Sequence, residues 1–480
     1  MSSEIFTHRM DGEGKIMPVA RTCLKPVRSI SGVSVITVMV SPRSCPQPSP
    51  CIYCPGGPKS GTPQSYTGRE PASMRALQYQ FDPFLQVEAR VKQLEAMGHW
   101  VDKIELIIFG GTLTAYPPEY LRWFVKRCLD ALNGCSSASL EEAKQLAENS
   151  KRRVSNIVFE TRPDWCREEH LDLLLELGGT RVELGVQILD DSIYRIVKRG
   201  HTTQDVAQAT QLARDAGFSV TYHLMTGLPG SSPQKDLESF KRVLEDPNFK
   251  PDGLKIYPTM VLPGTELYEL WKRGEYRPYS EEELVGLLVE MKRMVPPWMR
   301  IHRILRDIPI NLTVAGPKRG DLRRVIQERL NGGCRCIRCR EIGHVYYRTG
   351  KIPEGEVEFK VEKYQAGGGW EFFLTLEKGG ALVGLLRLRL PSGLAHRPEI
   401  QGAAVVRELH IFGEMVPVGC KPWVGAMQHR GFGARLLREA EEIAKEEGAK
   451  KLLVLSGLGV RNYYRKFGFE EDGPYMSKKL

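Results

Sequence analysis

Six short apolar runs recur through the first half of the chain: VSVITVMVS (33–41), KIELIIFGG (103–111), NIVFETRP (156–163), RVELGVQ (181–187), FSVTYHLMTGLPG (218–230) and GLKIYPTMV (253–261). Each is the length of a strand and largely apolar, as expected of strands buried on both faces of a parallel sheet. Helical patterns lie between them, for example FLQVEARVKQLEAMG (84–98) and EEHLDLLLELG (168–178), each closed by a glycine suited to the position just past a helix end. Strand, helix and strand in steady succession predict a (β/α) barrel or an open α/β sheet. Six strands rather than eight predict a barrel left incomplete, a partial (β/α)6 fold.

The rhythm breaks near residue 310. The segment AGPKRGDLRRVIQERLNGGCRCIRCREIGHVYYRTGKIPEG (315–355) is basic and punctuated by glycine, and reads as a linker module. Beyond it, VEFKVEKYQ (357–365), GWEFFLTLEKG (369–379), ALVGLLRLRLP (381–391) and AAVVRELHIFG (403–413) read as antiparallel strands. One long helix (432–448) and the strand KKLLVLSG (450–457) follow. At 480 residues two or three domains are expected. The predicted division is an N-terminal basic extension with a cysteine-bearing loop (1–75), the partial barrel (76–314), the linker (315–350) and a C-terminal α+β domain (351–480).

The chain has 11 cysteines, and six fall in two tight clusters, Cys45/Cys51/Cys54 and Cys334/Cys336/Cys339. This usage favours metal or redox chemistry in a reducing compartment over a disulfide framework. The N-terminal stretch lacks the apolar segment of a secretory signal, and no run approaches the roughly 20 apolar residues that span a bilayer. A cytosolic protein with no membrane contact is expected. The net charge of +10 admits two readings, a polyanionic partner such as nucleic acid or plain solubility.

Cys45, Cys51 and Cys54 stand as Cx5CxxC among four prolines, on a loop that follows the first apolar run. That is where (β/α) folds carry their chemistry. Three thiolates suit an iron–sulfur cluster with one open iron, and a structural zinc site lacking a fourth ligand is the alternative. Polar or glycine positions end the next runs: Gly110 and Gly111, Glu160, and Gln187. Lys255 and Tyr257 reach the same space if Ile256 faces the helices, although a strand-end salt bridge would equally explain Lys255.

In the C-terminal part, QHRGFGA (428–434) precedes a helix with Leu436, Leu437, Ala440, Ile443 and Ala444 on one face. Gly431, Phe432, Gly433 and Ala434 thus sit where backbone N–H groups can hold a pyrophosphate. The loop resembles the acyl-CoA loop of GNAT acetyltransferases. RNYYRKFGF (461–469) places Tyr463 and Tyr464 against the acyl or pantetheine channel or in the core.

CPQPSPCIYCPGGPKSGTPQSYTGREPASMRA, FGGTLTAYP, VQILDDSIYRIVKRGHT, KIYPTMVLPGTELYELWKRGEY and QHRGFGARLL closely resemble the family of the Elongator catalytic subunit in its stand-alone bacterial or archaeal form. The resemblance covers nearly the whole chain. It implies a radical S-adenosylmethionine (SAM) domain joined to a GNAT domain, acting on wobble uridines of tRNA anticodons to give 5-carboxymethyluridine. By the resemblance Cys45, Cys51 and Cys54 hold a 4Fe–4S cluster, although the eukaryotic members space the first two cysteines further apart. SAM, bound at the open iron over Gly110, Gly111, Glu160 and Gln187, would yield a 5′-deoxyadenosyl radical, which needs a dry enclosure beside Lys255 and Tyr257.

Acetyl-CoA would supply the carbon. The resemblance assigns it Lys103, in HWVDK, and the backbone of Glu408, Leu409, His410 and Ile411. Cys334, Cys336 and Cys339 resemble the zinc module of the family, with His344 expected as fourth ligand and His302 as the alternative, or else are reduced surface thiols. Basic residues there and in KPVR (25–28) are expected to touch an anticodon stem-loop, with accessory subunits not required. Two other classes stay open: a protein lysine acetyltransferase with a structural Fe–S domain, and an RNA-binding scaffold.

Overall fold

The computed structural model describes residues 3–10, 16–416, 419–422 and 425–480, with side chains from Cys23 onward. A two-stranded antiparallel hairpin, β1 (Ser3–Met10) and β2 (Ile16–Cys23), leads into the barrel. The barrel sheet runs β3 (Ser34–Met39), β4 (Lys103–Phe109), β5 (Arg153–Thr161), β6 (Arg181–Gln187), β7 (Ser219–Thr226), β8 (Gly253–Pro258) and β9 (Arg300–Ile304). All neighbours are parallel and follow chain order, and β3 does not pair with β9, so the barrel stays open. The α/β class and the partial barrel are as the sequence predicts.

The strand count is corrected from six to seven. RIHRI (300–304) escapes notice because Arg300 and His302 turn into the barrel while Ile301 and Ile304 join the outer core. Alternation that in a one-sided sheet would mark a solvent face here marks a polar interior. The helices Pro83–Ala96 and Glu168–Glu176 pack outside, and Gly98 and Gly178 follow them at φ of 88° and 79°. A side chain is disfavoured in that left-handed region, so glycine ends each helix at low cost.

The C-terminal sheet has the order β10 (Val357–Ala366), β11 (Gly369–Lys378), β12 (Ala381–Leu390), β13 (Ala403–Ile411), β14 (Lys451–Val454), β16 (Tyr475–Lys479) and β15 (Glu470–Asp472). Only β13 and β14 pair in parallel. The helix Phe432–Glu446 lays Leu436, Leu437, Ala440 and Ala444 on this sheet. Val405, Leu453 and Tyr475 from its other face enter the barrel core, so the two domains share one apolar interior.

A buried ion network fixes how they meet. Arg407 of β13 bonds Asp252 at 2.7 and 2.9 Å and Glu371 at 2.6 Å, while Arg214 reaches Glu371 at 2.8 Å. Arg389 joins Glu371 to Asp215 at 2.9 Å on each side. Removing one member of such a set strands its partners without water, at a cost of roughly 3–5 kcal/mol.

Candidate active site and metal centre

Side chains alternate along a strand, and in this barrel the inward set is polar. Glu105, Glu160, Glu183, His223, Lys255 and Tyr257 all line one central cavity of about 600 Å³. Ile256, between the last two, is fully buried on the helix side, as its neighbours' inward placement requires. Glu183 is the hub. Its carboxylate accepts from Lys255 and, at 2.8 Å, bonds His223, while Arg181 lies 3.5 Å away. Burial disfavours its charge, but the Lys255 ammonium, the hydrogen bond and charge of His223 and the Arg181 charge prevail and hold it well below the usual carboxylate range. Glu160 accepts from the Tyr66 hydroxyl at 2.6 Å and faces His223 Nδ1 at 3.7 Å.

The cysteine loop closes the C-terminal mouth of this cavity. Residues 45–55 form neither helix nor strand, and Cys45, Cys51 and Cys54 all line the space that Gly110, Gly111 and Gln187 also line. Gly110 has φ of 152° and a Cβ there would strike Val40 at 2.3 Å, so β4 can end against the end of β3 only as glycine. Polar donors surround the sulfurs. Arg199 lies 3.8 Å and the Gln47 amide 3.6 Å from Cys51 Sγ, Gln64 lies 3.5 Å from Cys54 Sγ, and Arg162 lies 3.8 Å from Cys45 Sγ. Burial raises the Cys51 thiol, yet the Arg199 charge and the hydrogen bonds from Arg199 and Gln47 outweigh it and leave the thiol lowered. Burial pushes Cys54 up to about 12. Cationic and amide donors aimed at three thiols fit an anionic cluster whose sulfurs accept hydrogen bonds.

The same cavity reaches the other domain, where Glu408 and His410 of β13 form its floor. Strand β13 pairs with β14 only from Ala403 to Val406, and its register against β12 shifts between Arg387 and Leu388. Glu408, Leu409, His410 and Ile411 thus keep β12 on one side and no ladder on the other. Such a split frees backbone groups for a ligand. Around the corner, Gly431 caps the helix Phe432–Glu446 at φ of 81°, and a Cβ on Gly433 would lie 2.7 Å from the Tyr463 hydroxyl. Tyr463 is half-buried beside this turn. Tyr464 is buried in the core against Phe469, with ring centroids 5.9 Å apart, as the core reading of the pair expects. Tyr463 packs at the edge of the same core.

Lys103, first residue of β4, donates to Gln428 at 2.8 Å and to the Val416 carbonyl at 3.3 Å, on the segment leading into the glycine turn. Burial pushes its amine down to about 8.

Cys334, Cys336 and Cys339 bring their sulfurs within 4.8 Å of one another, the only such ligand group among the described residues. The spacing and soft donors fit one zinc ion, whose tetrahedral sulfurs sit about 3.8 Å apart. They are not surface thiols, for Cys334 and Cys336 belong to the barrel core. Neither expected fourth ligand joins them. His344 faces the buried carboxylate of Glu341 at 2.9 Å, which Arg300 also holds at 2.9 Å, and His302 lines the barrel cavity.

The fold and its sites have counterparts among known proteins. The radical SAM superfamily matches residues 39–243, the radical SAM C-terminal domain residues 251–331 and the acetyltransferase (GNAT) family residues 340–469. A tRNA uridine(34) acetyltransferase of Methanocaldococcus jannaschii is 49% identical over 100% of this chain and 90% of its own length. The human Elongator complex protein 3 is 45% identical over 95% of this chain and 86% of its own. The chain belongs to this family. A solved structure of the archaeal Elp3 of Methanocaldococcus infernus, with its N-terminus (1–46) deleted, superposes with a TM-score of 0.83 at 45% identity, covering 94% of this chain and 100% of that one. As a member the chain is an acetyl-CoA-dependent radical SAM enzyme.

Sequence reading missed several functional neighbours in this family member. Glu183 and His223 were visible as polar residues inside buried runs, four residues from Gln187 and two from Met225 along the inward period. Arg162 and Arg199 carried no local signal, because only the fold brings them to the sulfurs, whereas Gln47 and Gln64 stand in and just after the cysteine loop.

Proposed function

We propose that this chain converts the wobble uridine of tRNA anticodons to 5-carboxymethyluridine; its archaeal relatives are named tRNA uridine(34) acetyltransferases. One observation carries the reading: a single cavity has the three thiols at its mouth and the split strand of the GNAT domain at its floor. Radical chemistry and an acyl donor are useful together only if one enclosed path serves both.

Cys45, Cys51 and Cys54 would hold the 4Fe–4S cluster, which with SAM supplies a hydrogen-abstracting carbon radical. Gly110 and Gly111 let the backbone approach SAM, and Glu160 and Gln187 offer acceptors for its ribose and amino groups. Lys255 and Tyr257, held by Glu183 and His223, line the same cavity and would position protons at the reacting carbon. Lys103, the backbone of Glu408, Leu409, His410 and Ile411, and the turn Gly431, Phe432, Gly433 and Ala434 would hold acetyl-CoA, with Tyr463 along its chain. Cys334, Cys336 and Cys339 would bind zinc as a structural ion. A flipped, single-stranded uridine enters such a mouth more readily than a paired one.

The boundaries at residues 314 and 350 follow these roles, while the barrel runs back to β3 (Ser34–Met39) rather than opening at residue 76. Basic residues of 25–28 and of the linker would lie along the anticodon stem-loop. The enzyme is read as cytoplasmic and as working without accessory subunits; among the described residues no helix is long and apolar enough to cross a membrane. Anaerobically reconstituted protein given SAM, acetyl-CoA and tRNA should carboxymethylate uridine. Lysine acetylation without SAM cleavage would replace this reading with a protein acetyltransferase, and RNA binding with neither reaction would leave a scaffold.

A further inference from the structure

A buried amine, not a histidine, stands beside the second cysteine triad. Lys292, on the helix Glu281–Met294, is fully buried, and its amine donates to the Gln327 carbonyl oxygen at 2.9 Å and lies 3.7 Å from Cys339 Sγ. Gln327, from the neighbouring helix Leu322–Leu330, is itself 3.5 Å from the same sulfur. Lysine is almost never fully buried unless a counter-charge holds it. No carboxylate contacts this amine in the ion pairs found among the described residues. The anionic partner in reach is the thiolate group.

We propose that Lys292 is the positioning residue that completes the metal site, supplying the charge and the hydrogen bond that a fourth anionic or imidazole ligand would otherwise provide. This rests on the zinc reading of the triad. A divalent ion on three thiolates carries one net negative charge, and the Lys292 ammonium cancels it inside the core. Gln327 fixes the amine by accepting from it through the carbonyl oxygen that also lies 3.5 Å from Cys339 Sγ. His344 has no part in it, since its ring stands 2.9 Å from Glu341 and outside the sulfur group. Hydrogen bonding around metal ligands typically changes affinity by roughly 10–100-fold.

The test uses the full chain, stripped of metal and titrated with Zn²⁺ against a chelator, and with Co²⁺ followed by absorption. Lys292→Met is expected to weaken Zn²⁺ at least about tenfold and to shift the sulfur-to-cobalt band to lower energy, because Cys339 loses a donor. Gln327→Ala, on a more exposed position less able to disturb folding, should show a smaller change of the same sign. His344→Ala should bind both ions as the parent does. The proposal is overturned if Lys292→Met and Gln327→Ala hold Zn²⁺ like the parent, or if His344→Ala is the variant that releases it. If the parent chain itself binds no Zn²⁺, the zinc reading of the triad fails, and that result is separate from any difference between variants.

Discussion

Two sets of three cysteines in one chain are built for opposite ends. Cys334, Cys336 and Cys339 gather their sulfurs within 4.8 Å, two of them inside the apolar core, with the Lys292 amine beside Cys339. Cys45, Cys51 and Cys54 do not draw together in this way; they spread along a proline-rich loop around the mouth of a cavity, each with a cationic or amide donor from another element. A single small ion needs close sulfurs and a closed shell, whereas a cluster of several irons needs wide sulfurs and a free position. Thiol count alone does not distinguish them. The difference lies in what surrounds the fourth side: packed core and a buried amine in one, open cavity in the other.

Breaking each triad should therefore break a different property. Cys51→Ala is expected to abolish bound iron and reductive SAM cleavage, a loss of about 100-fold or more, while zinc per chain stays at the parent value; elemental analysis and release of 5′-deoxyadenosine read both. Cys336→Ala should do the reverse. Zinc is lost, iron is retained, and the melting temperature falls by about 5 °C or more, because a buried structural ion contributes directly to folding. Iron lost equally from both variants would erase the distinction.

Smaller changes sharpen the contrast between the mouth and the floor of the cavity. Gly433→Val drives a side chain toward Tyr463 and should weaken acetyl-CoA roughly tenfold or more by calorimetry, leaving SAM cleavage without acetyl-CoA unchanged. Lys103 gives the mildest effect. Burial holds its amine near 8, so it is cationic below that pH and neutral above. Acetyl-CoA, an anion, should bind about threefold more weakly at pH ~9 than at pH ~7, and Lys103→Met should flatten that dependence.

The parts legible in the sequence were those written locally. Runs such as KIELIIFGG and RVELGVQ declare buried parallel strands, and QHRGFGA before an amphipathic helix declares a helix-terminal anion site. Strand β9 was hidden because its polar residues face a polar interior, which inverts the usual meaning of alternation. His344 drew attention by standing five residues from Cys339, but helical geometry turns it toward Glu341. Lys292 and Gln327 lie 47 and 12 residues from Cys339, and Arg199 lies 148 from Cys51, distances at which no spacing rule operates. The N-terminal hairpin and strands β15 and β16 were also unread, since none carries a long apolar run.

The central claim is that the radical formed at the first triad acts on carbon delivered from the GNAT domain through the shared cavity. Anaerobic turnover with SAM, acetyl-CoA deuterated on the acetyl methyl and an anticodon stem-loop tests it in one mass-spectrometric measurement. The account predicts deuterium in 5′-deoxyadenosine together with a carboxymethyl group on the wobble uridine. Deuterium-free 5′-deoxyadenosine beside unmodified RNA would contradict it.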